Sequence, residues 1–318
     1  MLIVYPDADP QIKSLITDEL VSRLNAVAEF RVYEGRPKDD AEFLSRVKEA
    51  DGVLLGWYLP NQIMSACTNL KVIAYAGIGV KNFVDVGFAR QCGIAVTNTP
   101  GYADDAVSEH TLALMLAVAK QIARHHQNLQ RGVWDPSIPS LGLRGKTIGL
   151  IGLGGIGQRV AELSKAFGMN VICWTLHPSL ERAKRAGVTF VSLEELLGSS
   201  DYISLHIAYT EQTRSLIGEK ELSLAKQGAI LINTARSELV DTPSLARALA
   251  SGRLAGAGID VFDEEPVSKD NPLLSLPNVV LSPHVGFNTP DAVNKILELC
   301  VDNLVQFFTG SPQNVVDV

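Results

Sequence analysis

Three residues behind apolar runs of this chain have side chains that can move a proton or hold an anion. INTARSELVD places Arg236 just after a β-type run, GIDVFDEEP places Glu265 ahead of Pro266, and LSPHVG places His284 behind Pro283. Histidine titrates near neutral pH. A carboxylate beside it favours the imidazolium and orients the ring. An arginine fork matches a carboxylate or phosphate with two hydrogen bonds. Singly, each residue has a plainer reading: a structural histidine, a solvated glutamate, a surface ion pair. Their joint position is what stands out, because ligands of an open parallel sheet bind beyond the carboxyl ends of its strands.

A fourth motif falls on that same edge. LIGLGGIGQRV follows the strand-like run KTIGLI and leads into a helical stretch, QRVAELSKAFG. Gly152 permits the tight turn, Gly154 the approach of a pyrophosphate, and Gly157 the close packing of helix on strand. Gly155 and Ile156 complete the loop as further cofactor candidates, and the N–H groups and dipole at the start of the helix that follows suit phosphates. The loop therefore predicts a dinucleotide site. The next strand, NVICWT, ends at Thr175, where a carboxylate for the ribose of NAD is expected. A carboxylate there would repel the 2′-phosphate of NADP. No arginine follows closer than Arg182, so the choice between NAD and NADP stays open.

These loops need a frame of alternating strands and helices, and the sequence has one. The runs LIVY (2–5), FRVY (30–33), GVLLG (52–56), KVIAYAG (71–77) and IAVTNTP (94–100) form a first set. KTIGLIG (146–152), NVICWT (170–175), VTFVS (188–192), YISLHIA (202–208), AILINTA (229–235), GAGIDVF (256–262) and VVLSPHVG (279–286) form a second. They are almost continuously apolar, as strands covered on both faces should be. Residues 9–24 read as one helix. Residues 104–132 read as one long helix crossing between two domains, and 289–310 as a helix closed by Gly310.

The 318 residues suit two domains. A net charge of −7 argues against a nucleic-acid binder. The opening MLIVYPDADP has no basic segment before an apolar one, so no secretory leader is expected, and no apolar run is long enough to span a bilayer. The four cysteines, Cys67, Cys92, Cys173 and Cys300, form no CxxC. They read as reduced thiols of a cytoplasmic protein.

In AGIG (76–79), GIAVTNTPGY (93–102), AVSEHTLALMLA (106–117), LRGKTIGLIGLGGIG (143–157), INTARSELVD (232–241), LAGAGIDVFDEEP (254–266) and NPLLSLPNVVLSPHVG (271–286), the chain resembles the D-isomer-specific 2-hydroxyacid dehydrogenases, over nearly its whole length. That resemblance implies an α/β protein of two domains. A Rossmann-type doubly wound parallel sheet (101–288) would be inserted into a smaller flavodoxin-like substrate domain (1–100 plus 289–318), with the active site between them. It implies hydride exchange between a nicotinamide dinucleotide and a small 2-keto or 2-hydroxy acid, with His284 as acid/base, Glu265 as its partner and Arg236 on the substrate carboxylate. A protonated histidine suits the carbonyl oxygen of a keto acid as hydride reaches its carbon.

By the same resemblance, Thr234 and Ala235 contact the nicotinamide half and Asp260 holds the carboxamide. His206 and Gly286 line the cofactor, and Ile78 and Gly79 offer N–H groups to the carboxylate. A homodimer is implied. From the length of the chain after the closing helix, no C-terminal regulatory domain is expected. His110, His125, His126 and His177 are left as structural or solvent-facing. The sequence departs from the family pattern at Thr175, Ser237, Ala208 and Phe287, which bears on cofactor and substrate choice. Glyoxylate or hydroxypyruvate is the favoured substrate. Two alternatives stay open: phosphoglycerate as the specific substrate, and a corepressor-like protein that senses nicotinamide on the same fold.

Overall fold

The structure, a computed structural model, describes residues 1–317. The chain divides into two compact units, one of residues Met1–Tyr102 with Thr289–Val318, the other of Ala103–Asn288. The first contains β1 (Leu2–Ala8), β2 (Glu29–Glu34), β3 (Gly52–Leu55), β4 (Val72–Tyr75) and β5 (Ala95–Thr97). They form one parallel sheet in the order β2-β1-β3-β4-β5, that of flavodoxin-like folds.

Side chains alternate across this sheet with the strand period of two. Val4, Val53, Leu55 and Ile73 enter one core. Their neighbours Ile3, Tyr5, Leu54 and Val72 enter the other, against Ile296, Leu297, Cys300 and Leu304. Those last four lie on the helix Pro290–Phe308. It is capped by Thr289 and followed by Gly310 at φ +87°. The C-terminal helix is thus a covering layer for the first hundred residues.

The second unit contains β6 (Thr147–Ile151), β7 (Asn170–Trp174), β8 (Thr189–Phe190), β9 (Tyr202–Leu205), β10 (Ala229–Asn233), β11 (Leu254–Ile259) and β12 (Val279–Leu281). Their order, β12-β11-β10-β9-β6-β7-β8, is the doubly wound Rossmann arrangement extended by one strand. Ile151, Ile203, Leu205 and Leu231 face one core and Ile148, Leu150, Tyr202 and Ile232 the other. No helix among the described residues is long and apolar enough to cross a membrane.

Two helix expectations fail. Residues 104–132 are not one helix, and the stretch does not cross between units. A helix runs Asp104–Ala119, Gln121 turns left-handed at φ +54°, and a second runs Ile122–Gln130, all within the second unit. Leu141 N–H donates to the Ala119 carbonyl, an acceptor that a continuous helix would use for residue 123. The Gln121 side chain takes the Val118 carbonyl in the same way. Residues 9–24 also split, into Pro10–Lys13 and Asp18–Asn25, because Thr17 caps a new helix by accepting from Leu20 N–H.

Candidate active site

The register of the seven-stranded sheet places the candidate residues. Trp174, Ile151, Leu205, Asn233, Ile259 and Leu281 are paired in succession across β7, β6, β9, β10, β11 and β12. One residue beyond each lie Thr175, Gly152, His206, Thr234, Asp260 and Ser282. Five of these six are sequence candidates, and they form one row along the carboxyl edge.

Gly152 has φ +105°, and a Cβ on it would lie 2.3 Å from the His206 carbonyl oxygen. Only glycine fits both the dihedral and the crossing of the two loops. A Cβ on Gly157 would lie 2.5 Å from the Gly152 carbonyl oxygen, so helix and turn pack backbone to backbone. Gly154 differs, with nothing within 4 Å of its Cβ position. It caps the helix Gly155–Ala166 with no side-chain hydrogen bond, which leaves open space and free N–H groups where a pyrophosphate would sit. The loop therefore fits a dinucleotide. Gly155 answers to another neighbour: the carboxylate of Asp104 lies 2.0 Å from its Cβ position. Ile156, in the first turn, packs against the core of the sheet.

At the end of β7 the Arg182 guanidinium donates to the His177 carbonyl, and Ser179 caps the next helix. Arg185 donates to Gln158. Cys173 beside this loop is inert, since burial pushes its thiol up to about 12.

His206 bonds the Ser204 hydroxyl through Nε2 at 2.8 Å, and burial pushes its pKa down to about 3. Free histidine titrates near 6.5, so between the two values the unfolded chain binds a proton that the folded chain refuses. Stability from this group is complete above pH 6.5 and falls as the pH drops below it, by about 1.4 kcal/mol per unit at most. Denaturant unfolding at pH 7.5 and 5.5 is expected to show this loss, and the difference should shrink in His206→Gln. An unchanged difference in the variant assigns the loss to other groups.

Beyond β10, the buried Asn233 side chain ties the turn that carries Arg236. Its Nδ2 donates to the Arg236 carbonyl at 2.8 Å and its Oδ1 accepts from Ala235 N–H at 3.0 Å. The Arg236 guanidinium donates to the Ala235 carbonyl and has no carboxylate partner among the described residues. It remains available to an anion. The Thr111 hydroxyl gives its proton to the Val107 carbonyl, so the buried Thr234 hydroxyl, 2.8 Å away, donates to Thr111.

His284 and Glu265 do meet. Nδ1 of His284 lies 2.7 Å from Oε2 of Glu265, whose Oε1 accepts from Phe262 N–H. A carboxylate partner fixes the proton on Nδ1 and leaves Nε2 to take or give one. Nε2 has no partner among the described residues. The ring of Phe287 meets His284 edge-on, centroids 6.1 Å apart. His284 itself has φ +54°, held by its N–H on the Asp260 carbonyl.

Asp260, almost wholly buried, organises this loop. Its Oδ1 accepts from the Ser282 hydroxyl (2.6 Å) and Val285 N–H (3.0 Å), and its Oδ2 from Gly286 N–H (2.9 Å). Burial opposes its charge, but these bonds and one from His110 outweigh it and hold the carboxyl below its usual range. A Cβ on Gly286 would press on Asp260 and His110, at 3.0 and 3.3 Å.

In the first unit, Asn98 fixes the AGIG turn by donating to the Ile78 carbonyl. The Ile78 and Gly79 N–H groups donate to nothing among the described residues. Sequence reading singled out neither Asn233, Ser282 nor Thr111, and it left His110 as structural or solvent-facing, where the structure places it against Ser282 and Asp260. Only Ser282 carried a local signal, its place two residues ahead of His284.

Residues 112–286 match the family described as D-isomer specific 2-hydroxyacid dehydrogenase, NAD binding domain. The chain is 39% identical over 310 residues to the glyoxylate reductase of Aeropyrum pernix, covering 94% of this chain and 92% of that one. Its fold matches an acyclic imino acid reductase in complex with NADPH and D-Arg, with TM-score 0.88, 31% identity and complete coverage of both chains. It also matches a D-lactate dehydrogenase from Aquifex aeolicus complexed with NAD and lactic acid, with TM-score 0.83, 31% identity and 98% and 96% coverage. The corepressor-like alternative gives way to an enzyme. The chain belongs to the D-isomer specific 2-hydroxyacid dehydrogenase family, as an NAD(P)-dependent oxidoreductase.

Proposed function

We propose that the chain reduces a short, unphosphorylated 2-keto acid, glyoxylate or hydroxypyruvate, to its D-2-hydroxy acid. The observation that carries this reading is the His284–Glu265 pair with a free Nε2, on the edge that also bears the glycine loop. A bound reduced nicotinamide supplies the hydride. His284 gives its Nε2 proton to the carbonyl oxygen and takes it back in the oxidative direction. Glu265 orients the ring and supports the imidazolium. Arg236 grips the carboxylate and polarises the keto oxygen. The Ile78 and Gly79 N–H groups are further donors for the same carboxylate, and Thr234, Ala235, Asp260, His206 and Gly286 line the dinucleotide. In this reading the Met1–Tyr102 unit with the C-terminal helix serves the substrate, and the Ala103–Asn288 unit the cofactor.

Between Ala76 and Asp85, around the turn offered to the carboxylate, Lys81 is the one cation that a phosphate could meet, which supports the unphosphorylated class. The test is the absorbance of NADH and NADPH with glyoxylate, hydroxypyruvate, pyruvate and 3-phosphohydroxypyruvate in turn. Turnover is expected with one of the first two. Preference for the phosphorylated acid would overturn the substrate assignment. Binding without turnover on any acid would overturn the catalytic one.

The relatives' chemistry and four cysteines free of disulfides support a cytoplasmic place. A homodimer is supported by the helix Ile122–Gln130, which has no buried residue. Ile122, Leu129 and Val133 are exposed, and Trp134 is 82% exposed. So many neighbouring apolar groups suit a second copy of the chain. Light scattering is expected to give a dimer, and Trp134→Glu with Leu129→Glu a folded monomer. A monomeric natural chain would overturn this.

A further inference from the structure

His110 lies on the helix Asp104–Ala119, far in sequence from the strand-end loops, yet it reaches two of their groups. Its Nε2 is 2.8 Å from the Ser282 hydroxyl and 3.3 Å from Oδ1 of Asp260. The direction of each bond follows from proton count. The Ser282 hydroxyl has one proton, and its 2.6 Å separation from Oδ1 is typical of a hydroxyl donating to a carboxylate. The Ser282 oxygen can therefore only accept from His110, so Nε2 carries a proton. Oδ1 then takes two donors, Ser282 and Val285 N–H, with His110 Nε2 3.3 Å away. Oδ2 faces only Gly286 N–H. A carboxylate oxygen has two acceptor positions, so Oδ1 is saturated and Oδ2 keeps one.

We propose that His110 is a positioning residue for the cofactor. By donating through Nε2 to Ser282, and lying against Oδ1 of Asp260, it turns that carboxylate so that Oδ2 offers its remaining acceptor position to the carboxamide amino group of the nicotinamide. Next to it on the same helix, Thr111 takes the proton of Thr234. One helical turn thus braces the loops after β10, β11 and β12 together. The proposal rests on the oxidoreductase reading above.

The test is equilibrium binding, which needs no turnover. Dissociation constants are measured by fluorescence for the reduced dinucleotide that binds tighter, and for two controls. One control is ADP-ribose, carrying the 2′-phosphate if NADPH is the ligand. The other is the reduced 3-acetylpyridine analogue, whose acetyl group has no amino proton. His110→Leu removes the donor and keeps bulk; His110→Gln restores a donor near the Nε2 position. The Leu variant is expected to bind the natural dinucleotide about tenfold more weakly, with both controls unchanged, and the Gln variant to recover most of the loss.

Unchanged dinucleotide binding in His110→Leu would overturn the proposal. So would an equal loss for ADP-ribose, which marks a packing role, or a Gln variant no better than Leu. If the natural protein binds neither NADH nor NADPH, the oxidoreductase reading fails first and takes this one with it. If it binds them without turning over keto acids, the binding comparison still decides the role of His110.

Discussion

His284→Gln is expected to lower turnover by about 10²- to 10⁴-fold, the usual contribution of a positioned general acid, with little change in dinucleotide affinity. Glutamine keeps a polar side chain of similar reach, so it can still bond Glu265, but it has no proton that it can exchange. The loop itself is held from elsewhere. Asp260 takes the His284, Val285 and Gly286 N–H groups through its carbonyl and carboxylate, and none of these bonds uses the imidazole. The damage should therefore fall on the chemical step, and single-turnover mixing of preformed binary complex with keto acid is the measurement that isolates it. Glu265→Gln, which keeps an acceptor beside Nδ1 and removes its charge, should lose less, about 10- to 100-fold. A His284→Gln protein that keeps a tenth of the natural rate would remove His284 from the mechanism.

Gly152→Ala is expected to have the largest effect on the fold and on cofactor binding together. The backbone there has φ +105°, which alone costs an alanine about 1–3 kcal/mol. Its methyl would also lie 2.3 Å from the His206 carbonyl oxygen, a backbone atom that moves only if the loop after β9 moves with it. A midpoint lowered by about 10 °C, or failure to yield folded protein, is the expected result by thermal unfolding. Where protein survives, the dinucleotide should bind at least an order of magnitude more weakly, because the helix start no longer meets the turn. Gly154→Ala separates the two effects. Nothing lies within 4 Å of that Cβ position, so the fold should tolerate it while the methyl intrudes where the pyrophosphate would lie. A stable, tightly binding Gly152→Ala protein would mean that the loop is arranged otherwise.

Much of this site could be read from residue order, because its parts follow strands. A run of β-branched residues fixes a strand, and the residue just past it reaches the ligand edge; Gly152, Asp260 and Thr234 are legible for that reason. Strand lengths were less legible. YISLHIA reads as one run, but β9 ends at Leu205, since His206 bonds Ser204 and its carbonyl abuts Gly152. His110 was legible only as a histidine on an apolar helix. Its partners lie 150 and 172 residues away, and no local period encodes such a pairing. The turn at Gln121 is of the same kind. It has no glycine or proline, and the group that ends the helix is Leu141 N–H, supplied by a returning loop. The cap at Thr17 is different: threonine followed by Asp18 and Glu19 is a local helix start, outweighed in the reading by the longer apolar period around it.

The row of residues one step past the paired strand ends also bears on how such a protein can change. Thr175 and Ser282 sit at opposite ends of it, five strand spacings apart, or about 24 Å at the usual separation of neighbouring strands. Substitutions that far apart, with no shared partner, usually act additively. Preference between the two dinucleotides and competence in proton transfer are therefore separately inheritable traits. A lineage, or a laboratory library, can alter the adenosine-side position without retuning the histidine loop. The neighbouring positions after β11 and β12 share partners, so there substitutions have to be accepted or rejected in pairs.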